Sequence, residues 1–422
     1  MEKVPATERD VVRDLAKQVR DLAHSPAMQS LRERWRRHNA GEPTEPLVFL
    51  ENGILADQFL PSPRCRHPLA LDMERRLSEI LYMDREVGDD RIVPTVYPVP
   101  YWPDAGLFAV QAGRRTAEDR LGLHFGYQVE HPVHDLAADW PRLRPAVRRP
   151  VARDLEGARR QAAEADDLLG GILPAAPEHH SFTWHFGLTG HLVWLMGMEA
   201  MFVALMETPD LLRRALSDLV DLLLSALEEH EEGGALTLNN GHHYAGSGSL
   251  GCTDQLPAAG HAPGQVRSRD LWGNSNSQET VGVDPSAFRD HFLPHYRRLA
   301  ERFGLLYWGC CEPVHTIWDY GLKDLPGLRK VSISPWCDER FMGSALRGSG
   351  IVYARKPSPN FVGVGAYDGE GLERHLQATM EAARGCALEI SFRDILSLHG
   401  EPSRARRAVE AVRRAAARHW QP

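Results

Sequence analysis

Thiols, carboxylates and cations follow a series of apolar runs in the second half of the chain. The segment "FGLLYWGCCEPVH", residues 303 to 315, places Cys310, Cys311 and Glu312 directly after large apolar residues. A thiol pair beside a carboxylate can bind a soft cation or activate a thiol, because the thiolate is the form that bonds metals and attacks carbon. The alternative is a core strand that contains sulfur, since free cysteine is often a small buried hydrophobe.

The later apolar runs end in the same kinds of side chain. "RKVSISPWCD" places Cys337 after its run, "IVYARKPSP" places Lys356, and "LEISFRD" places Arg393 and Asp394. Upstream, His242 follows "ALTL" in the Gly-rich segment "NNGHHYAGSG". Ordinary turns carry Gly, Ser and Asn at these places, so the recurrence indicates function.

These residue types suggest particular roles. Glu312 and Asp394 are candidate general acids or bases, and His242 is a further catalytic candidate. Lys356 and Arg393 are candidate binders of a carboxylate substrate. A structural ion-pair network at the same place is the alternative, because desolvated charges must be paired in any protein.

The elements that carry these residues repeat as strand and helix. Apolar runs centred near residues 307, 333, 353 and 389 predict strands, and each gap between them has room for one helix. A helix is predicted over 209–232, with Thr208 as its N-cap, and another over 285–303, capped by Asp284 and followed by Gly304. A strand is predicted at "LVFLE" and another at "ALTLNN", whereas the Pro-rich stretch from about 52 to 180 reads as loop and insertion.

Repeated βα units with short apolar strands predict a parallel sheet covered by helices. No predicted strand leads directly into a G-x-G-x-x-G or P-loop sequence, which favours a closed (β/α)8 TIM barrel over an open doubly wound sheet. The active site of such a barrel lies where its strands end, and that is where the candidate residues are found.

The segment "DPSAFRDHFLPHYRRLAERFGLLYWGCCEP" resembles the uroporphyrinogen decarboxylase superfamily, in which a helix and a strand lead to a cysteine-bearing loop. The resemblance covers roughly residues 190 to 420. It implies a (β/α)8 barrel, related to porphyrinogen decarboxylases and to zinc-dependent methyltransferases that act on corrinoid proteins and coenzyme M.

The sequence departs from both branches of that superfamily. The Arg-rich motif of the porphyrinogen decarboxylases has no counterpart in "LVFLENGILADQF". The methyltransferase branch holds zinc with a His-x-Cys pair and a distal cysteine. Here Trp308 stands where the histidine would be, and Arg393 and Asp394 lie where the distal cysteine would be.

Three functions follow as hypotheses. The first is methyl or alkyl transfer involving a thiol, at a metal site of Cys310, Cys311 and Cys337 that holds zinc, with Glu312 or His242 as a further ligand. The second is a cofactor-independent decarboxylase or lyase that acts on a small carboxylic acid. The third is a barrel that only binds a partner, such as a corrinoid protein.

Composition limits the other function classes. The chain has 422 residues, 43% of them hydrophobic, and a net charge of -8, which gives no electrostatic case for nucleic acid or acidic membranes. Its six cysteines are too few and too scattered for a disulfide framework, and Cys65, Cys252 and Cys386 are expected to be buried. We expect a cytoplasmic enzyme, potentially a homodimer, with a helical extension over 1–46 and the barrel over 47–422.

Overall fold

The structure is a computed structural model that describes residues 3–52, 55–101, 113–117, 126–147, 155–179, 187–262 and 264–421. Its fold is mixed α/β, and a parallel sheet carries most of the residues singled out above.

The helices cover the sheet and form the N-terminal part of the chain. They are α1 (Ala6–Ala23), α2 (Pro26–Asn39), α3 (Ala56–Phe59), α4 (Pro68–Tyr82), α5 (Leu136–Val147), α6 (Leu155–Leu169), α7 (Leu188–Met196), α8 (Met198–Glu207), α9 (Pro209–Glu232), α10 (Pro285–His291), α11 (Leu293–Ala300), α12 (Glu339–Leu346), α13 (Asn360–Gly363), α14 (Gly369–Ala382) and α15 (Ser403–His419). Within the described residues no single helix has both the length and the apolar character needed to cross a membrane. Only α7 and α8 taken together are long and apolar enough, and they are bent by 99° relative to each other.

The strands are short and mostly buried. They are β1 (Leu47–Leu50), β2 (Tyr97–Tyr101), β3 (Gly113–Ala117), β4 (Gly126–Glu130), β5 (Ala175–His179), β6 (Tyr244–Gly246), β7 (Ser249–Leu250), β8 (Trp272–Ser275), β9 (Leu305–Trp308), β10 (Leu328–Ile333), β11 (Val352–Arg355) and β12 (Leu388–Phe392).

Six of these strands form one parallel sheet in the order β1-β12-β11-β10-β9-β8. The first strand therefore pairs with the last, in register from Leu47 opposite Glu389 to Leu50 opposite Phe392. In a closed barrel the first strand pairs with the last, as it does here, so the fold is consistent with a TIM-barrel-like arrangement. Among the described strands, however, the ladder ends at β1 and β8, and β2 pairs with β5 in a separate parallel sheet.

The two faces of β1 pack into different apolar clusters. Val48 and Leu50 belong to a large cluster formed with the helices that follow α6, including α9, α14 and α15. Leu47 and Phe49 belong to a second cluster with α1, α2, α4, α6 and β2. The predicted N-terminal extension thus shares a core with the first strand of the sheet.

A small hairpin, β6–β7, lies against the sheet. The Gly246 backbone packs so closely on the Tyr307 ring that an added Cβ would lie 2.3 Å from a ring carbon. Lys330 donates to Ser249 Oγ and to the Leu250 carbonyl, at 2.6 and 3.0 Å. The hairpin is therefore attached to β9 and β10, and its turn, Ser247 and Gly248, reaches the residues that follow the strands.

The later strands lie where they are predicted, at β9, β10, β11 and β12, and α9 has the predicted bounds. The predicted helix over 285–303 is instead two helices, α10 and α11, and Pro294 in the first turn of α11 cannot donate the hydrogen bond that would join them. Asp284 caps α10 as predicted, by accepting from Ser286 N.

Two other element predictions were wrong. The predicted strand "ALTLNN" has no ladder, and the Pro-rich stretch contains β2 and β5 in addition to helices. Pro98 and Pro100 are tolerated in β2 because its recorded ladder runs along one side only.

Candidate active site

The candidate residues converge where the strands of the main sheet end. Cys310 follows β9, Lys356 follows β11, Arg393 follows β12, and Glu51 follows β1. Gly309 turns the chain out of β9 with a φ of 102°, a conformation that glycine adopts readily because it has no Cβ. Parallel strands end at one edge of a sheet, so this order of residues in the sequence produces one cluster in space.

Cys310 lies at the centre of this cluster. The Ser247 hydroxyl donates to its Sγ at 3.4 Å, and Arg393 Nη1 lies 3.7 Å from the same sulfur. The Cys311 thiol is 3.6 Å away. The hydrogen bond from Cys311 lowers the pKa of Cys310 to about 5 against the effect of burial, with further lowering from Lys356 and Arg393. Cys310 is therefore a thiolate at neutral pH.

Cys311 has the opposite character. It is exposed, and its hydrogen bond to the Cys310 thiolate raises its pKa, as does its partial burial. Of the two adjacent cysteines, Cys310 holds the negative charge and Cys311 keeps its proton.

Two cations surround the thiolate. Lys356 is buried, donates to the Cys310 carbonyl at 3.1 Å and lies 5.8 Å above the Tyr307 ring. Burial lowers the pKa of Lys356 to about 8. Arg393 is oriented by Glu51, whose Oε2 lies 3.3 Å from its Nε.

Asp394 lies at the edge of this cluster. Its carboxylate is 3.5 Å from Arg393 Nε, its side chain is 55% exposed, and its backbone has a φ of 59°. Burial raises the pKa of Glu51, which faces the same guanidinium. Asp394 is thus the more solvated of the two carboxylates that share Arg393.

Glu312 holds the loop that follows β9 through hydrogen bonds to backbone N–H groups. It is buried, and its two carboxylate oxygens accept from the backbone N–H groups of Ser277 and Cys310, each at 2.9 Å. Burial raises the pKa of Glu312, and the hydrogen bonds oppose that effect. The geometry indicates a residue that positions Cys310. Glu312 also lines a surface cavity with Thr280, Pro313 and other residues of the two adjoining loops.

Cys337 does not join the other two cysteines. It is buried, and its sulfur contacts the Glu312 carbonyl and Ser334 Oγ, both at 3.7 Å. Burial raises the pKa of Cys337, so it stays a neutral thiol. The metal set predicted from the sequence is therefore brought together only at Cys310 and Cys311.

A zinc ion fits these two sulfurs only in part. Two thiolates on one tetrahedral zinc are about 3.8 Å apart, close to the 3.6 Å found here. In the described parts of the chain, however, no third His, Cys, Asp or Glu ligand atom lies within 4.8 Å of both sulfurs. Arg393 also lies 3.7 Å from the Cys310 sulfur, and Lys356 contacts the Cys310 carbonyl, so both cations oppose a dication there. The residues present favour a metal-free thiolate at this position.

His242 belongs to a second cluster. Its Nε2 lies 3.1 Å from Glu178 Oε2, and His243 Nε2 lies 3.2 Å from the same oxygen. His242 is thus paired with a residue of β5, and within the described part of the chain no hydrogen bond or ion pair joins it to Cys310, Cys311 or Cys337. Burial, followed by the neighbouring His243, lowers the pKa of His242.

Several residues of both clusters were not predicted. Glu51 is the first residue after β1, so the rule that identified Arg393 could have found it. Ser247 gave no signal, because its role depends on the hairpin reaching β9. Glu178 lies in the stretch interpreted as loop and insertion, and His243 lies beside His242 in the Gly-rich segment but was not singled out.

Comparison with known proteins supports the fold. A methyltransferase from Methanosarcina mazei has a similar structure, with a TM-score of 0.50 over 91% of this chain and 98% of that chain, at 12% sequence identity. No protein-family model matches the sequence, and no curated protein matches it. At this identity the likeness shows a shared fold, and function must be argued from the site.

Proposed function

We propose that this protein is an enzyme that transfers a methyl or other small alkyl group, with Cys310 as the thiolate that carries the group between donor and acceptor. The observation that carries the proposal is the environment of the Cys310 sulfur, which a hydroxyl, a thiol and a guanidinium all contact. A thiolate is a strong nucleophile toward saturated carbon, and these groups maintain it at neutral pH.

The transfer takes place in two displacements. In the first, Cys310 Sγ forms a bond to the alkyl carbon, and the bond to the donor breaks with its electron pair remaining on the donor. In the second, an acceptor thiolate attacks the same carbon, and the electron pair of the S–C bond returns to Cys310. The proton of the acceptor thiol is released to solvent.

A low thiol pKa favours the second displacement. Thiols of low pKa are better leaving groups, and the charge that returns to Cys310 is stabilised by Arg393 and Lys356. The cations would act on a charge that forms during the reaction. Ser247 and Cys311 supply hydrogen bonds to the same sulfur.

We further propose that the sheet closes as a (β/α)8 barrel, with β2 and β5 completing the ring and Cys310 in its mouth. The return of β1 to β12 and the fold likeness support this closure. A small molecule or the methylated corrinoid of a partner protein would reach Cys311 and Asp394, which are exposed there. The decarboxylase and binding-only alternatives have no comparable observation in their favour.

Single-turnover labelling tests this proposal. Reduced protein is incubated with methylcobalamin, or with a methyl sulfonium, and its cysteine peptides are mapped by mass spectrometry. We expect a methyl group on Cys310 that disappears when a small thiol is added, with the methyl thioether appearing in solution. Cys386→Ser, which replaces a buried thiol outside the site, is the matched control for Cys310→Ser. Methylation restricted to the exposed Cys311, or turnover that survives Cys310→Ser, would contradict the proposal.

A further inference from the structure

We propose that Glu178, His242 and His243 form a binding site for a divalent transition metal ion of the zinc class, separate from the Cys310 cluster. Within the described residues they are the one set of three His, Cys, Asp or Glu side chains whose ligand atoms all lie within 4.8 Å of one another. Two imidazoles and a carboxylate are a common ligand set for such ions.

Two of the three distances within this set match those of a coordination sphere, and the third is below 4.8 Å. The Nε2 atoms of His242 and His243 lie 3.1 and 3.2 Å from Glu178 Oε2. Ligands at roughly 2.0 to 2.1 Å from a tetrahedral ion are about 3.3 Å apart. An ion between the three atoms would therefore require only small shifts, and it would keep one position open for water or another ligand.

The charges of the set also suit a cation. The set offers a cation one carboxylate oxygen and two imidazole nitrogens, which lie within hydrogen-bonding distance of that oxygen. The three side chains are 18 to 20% exposed, which leaves an access path from solvent.

The two histidine rings are held close together. Their centroids are 4.0 Å apart, and the buried His243 Nδ1 has no hydrogen-bond partner among the described residues. The two ring nitrogens that face Glu178 are therefore the polar contacts that orient this pair. Without a metal ion, both ring nitrogens face the same carboxylate oxygen.

The position of this set gives a bound ion a structural consequence. His243 directly precedes β6, and its carbonyl accepts from Gly251 N at 2.8 Å, just beyond β7. The same hairpin carries Ser247 to the Cys310 sulfur. An ion at Glu178 would fix the base of the hairpin and so hold Ser247 at the Cys310 sulfur. The effect on Cys310 rests on the proposed function, but the metal site itself does not.

Cobalt substitution separates this site from the cysteine pair. The full chain is stripped with EDTA and titrated with Co²⁺, and bound metal is measured by elemental analysis and by visible absorption. We expect about one ion per chain, with no thiolate-to-cobalt charge-transfer band, and the same uptake in Cys310→Ser/Cys311→Ser. An ion held by the cysteines would show that band and lose it in the double variant.

Variants of the set complete the test. Glu178→Gln and His242→Ala should each weaken Co²⁺ binding by at least about 100-fold, because loss of a direct ligand costs more than loss of an outer partner. His261→Ala, which removes the histidine that pairs with Asp270, is the matched control and should bind normally. Zn²⁺ should raise the melting temperature of the wild type and of the control, but not of the other two variants. Absence of uptake by the wild type, or equal affinity in all variants, would overturn the site.

Discussion

At the scale of single residues, the chemistry of the site comes from the placement of charge around one sulfur. Cys310 and Cys311 are adjacent in sequence but differ in pKa, chiefly because the Cys311 thiol donates to the Cys310 sulfur. Lys356, Arg393 and Ser247 lower the pKa of Cys310 further. Glu51 matters indirectly, since it holds the guanidinium that faces the sulfur.

Replacement of Arg393 tests this electrostatic account. Arg393→Gln removes a positive charge 3.7 Å from the sulfur, and an opposite charge at such distances lowers a pKa by about one to three units. We expect the pH midpoint of Cys310 alkylation to rise by at least about one pH unit. Arg374→Gln, which removes an exposed arginine that pairs with Glu370, is the control and should leave the midpoint unchanged. An unchanged midpoint in Arg393→Gln would show that Arg393 does not contribute to the low pKa of Cys310.

Glu312→Gln tests whether Glu312 positions the loop. The amide has one oxygen in place of two, so a buried N–H of Ser277 or Cys310 loses its acceptor, at a cost of about 1 to 3 kcal/mol. We expect a lower melting temperature and slower alkyl transfer, without a rise in the alkylation midpoint of Cys310. Glu373→Gln, on the surface, should change neither property. If Glu312→Gln melts like the wild type and loses an ionisation from the pH profile of turnover, Glu312 is an acid or base instead.

At the scale of elements, the β6–β7 hairpin determines whether the site is complete. Ser391 Oγ donates to the Gly248 carbonyl, and Tyr307 OH donates to the Ser247 carbonyl at 3.3 Å. The hairpin turn is therefore held by residues of β9 and β12, next to the sulfur that Ser247 contacts.

Gly246→Ala tests the role of the hairpin. The new methyl group would lie 2.3 Å from a Tyr307 ring carbon, so the hairpin or the ring must move. Overpacking of this kind usually costs about 1 to 3 kcal/mol. We expect a lower melting temperature, together with a higher alkylation midpoint of Cys310 as Ser247 withdraws. Gly241→Ala is the control, because its nearest contact is an ordinary 3.7 Å. A lower melting temperature without a rise in the alkylation midpoint would contradict the role given to Ser247.

The elements that could be predicted are those marked by a pattern within a short stretch of sequence. The strands β9 to β12 could be predicted from apolar runs, since a strand buried on both faces has a continuous apolar sequence. The strands β2 and β5 could not be predicted from the sequence. Prolines occur within β2, and proline inside a segment argues against a central strand. The gap between β9 and β10 has room for one helix, but its segment "TIWDYGLKDL" forms short 3-10 turns instead, and Gly321, with a φ of 104°, lies between two of them.

At the scale of the whole molecule, a buried ion cluster joins the N-terminal helices to the sheet. Lys330 Nζ lies 2.9 Å from Glu389 Oε2, and His38 Nε2, at the end of α2, lies 3.0 Å from the same oxygen. All three side chains are almost fully buried. No sequence pattern indicated this cluster, because each member lies in a different segment of the chain.

Glu389→Gln tests the contribution of this cluster to stability. Burial would raise the pKa of Glu389, but Lys330 and His38 lower it to about 2. The carboxylate therefore stabilises the fold above the ordinary glutamate pKa, and this contribution is lost as the pH falls toward 2. We expect Glu389→Gln to lower the free energy of unfolding by about 3 to 5 kcal/mol at pH 7, because Lys330 stays buried without its partner.

Urea unfolding at several pH values measures this effect. The difference between wild type and Glu389→Gln should shrink as the pH is lowered from 5 toward 3. Asp319→Asn, which breaks the exposed pair with Lys323, is the matched control and should unfold like the wild type. A difference that does not depend on pH would show that packing, and not charge, accounts for the loss.

The part of the candidate site that follows directly after the strands could be predicted from the sequence. Cys310, Lys356 and Arg393 were each identified as the first polar residues after a strand, and Lys356 and Arg393 both contact Cys310. The partners Ser247 and Glu178 were not, because they come from segments that have no regular strand pattern in the sequence. Contacts between distant segments depend on the tertiary fold, which a local pattern does not contain.

The ionisation of Cys310 is the most direct test of the account. Reduced wild-type protein is alkylated with iodoacetamide across a range of pH, and the rate at Cys310 is followed by peptide mass spectrometry, with Cys311 in the same peptide resolved by fragmentation. The account predicts that the alkylation rate of Cys310 reaches half of its maximum near pH 5, whereas Cys311 reacts only at high pH. A midpoint at Cys310 near the ordinary thiol value of about 8.5, or equal reactivity of the two cysteines, would contradict the account.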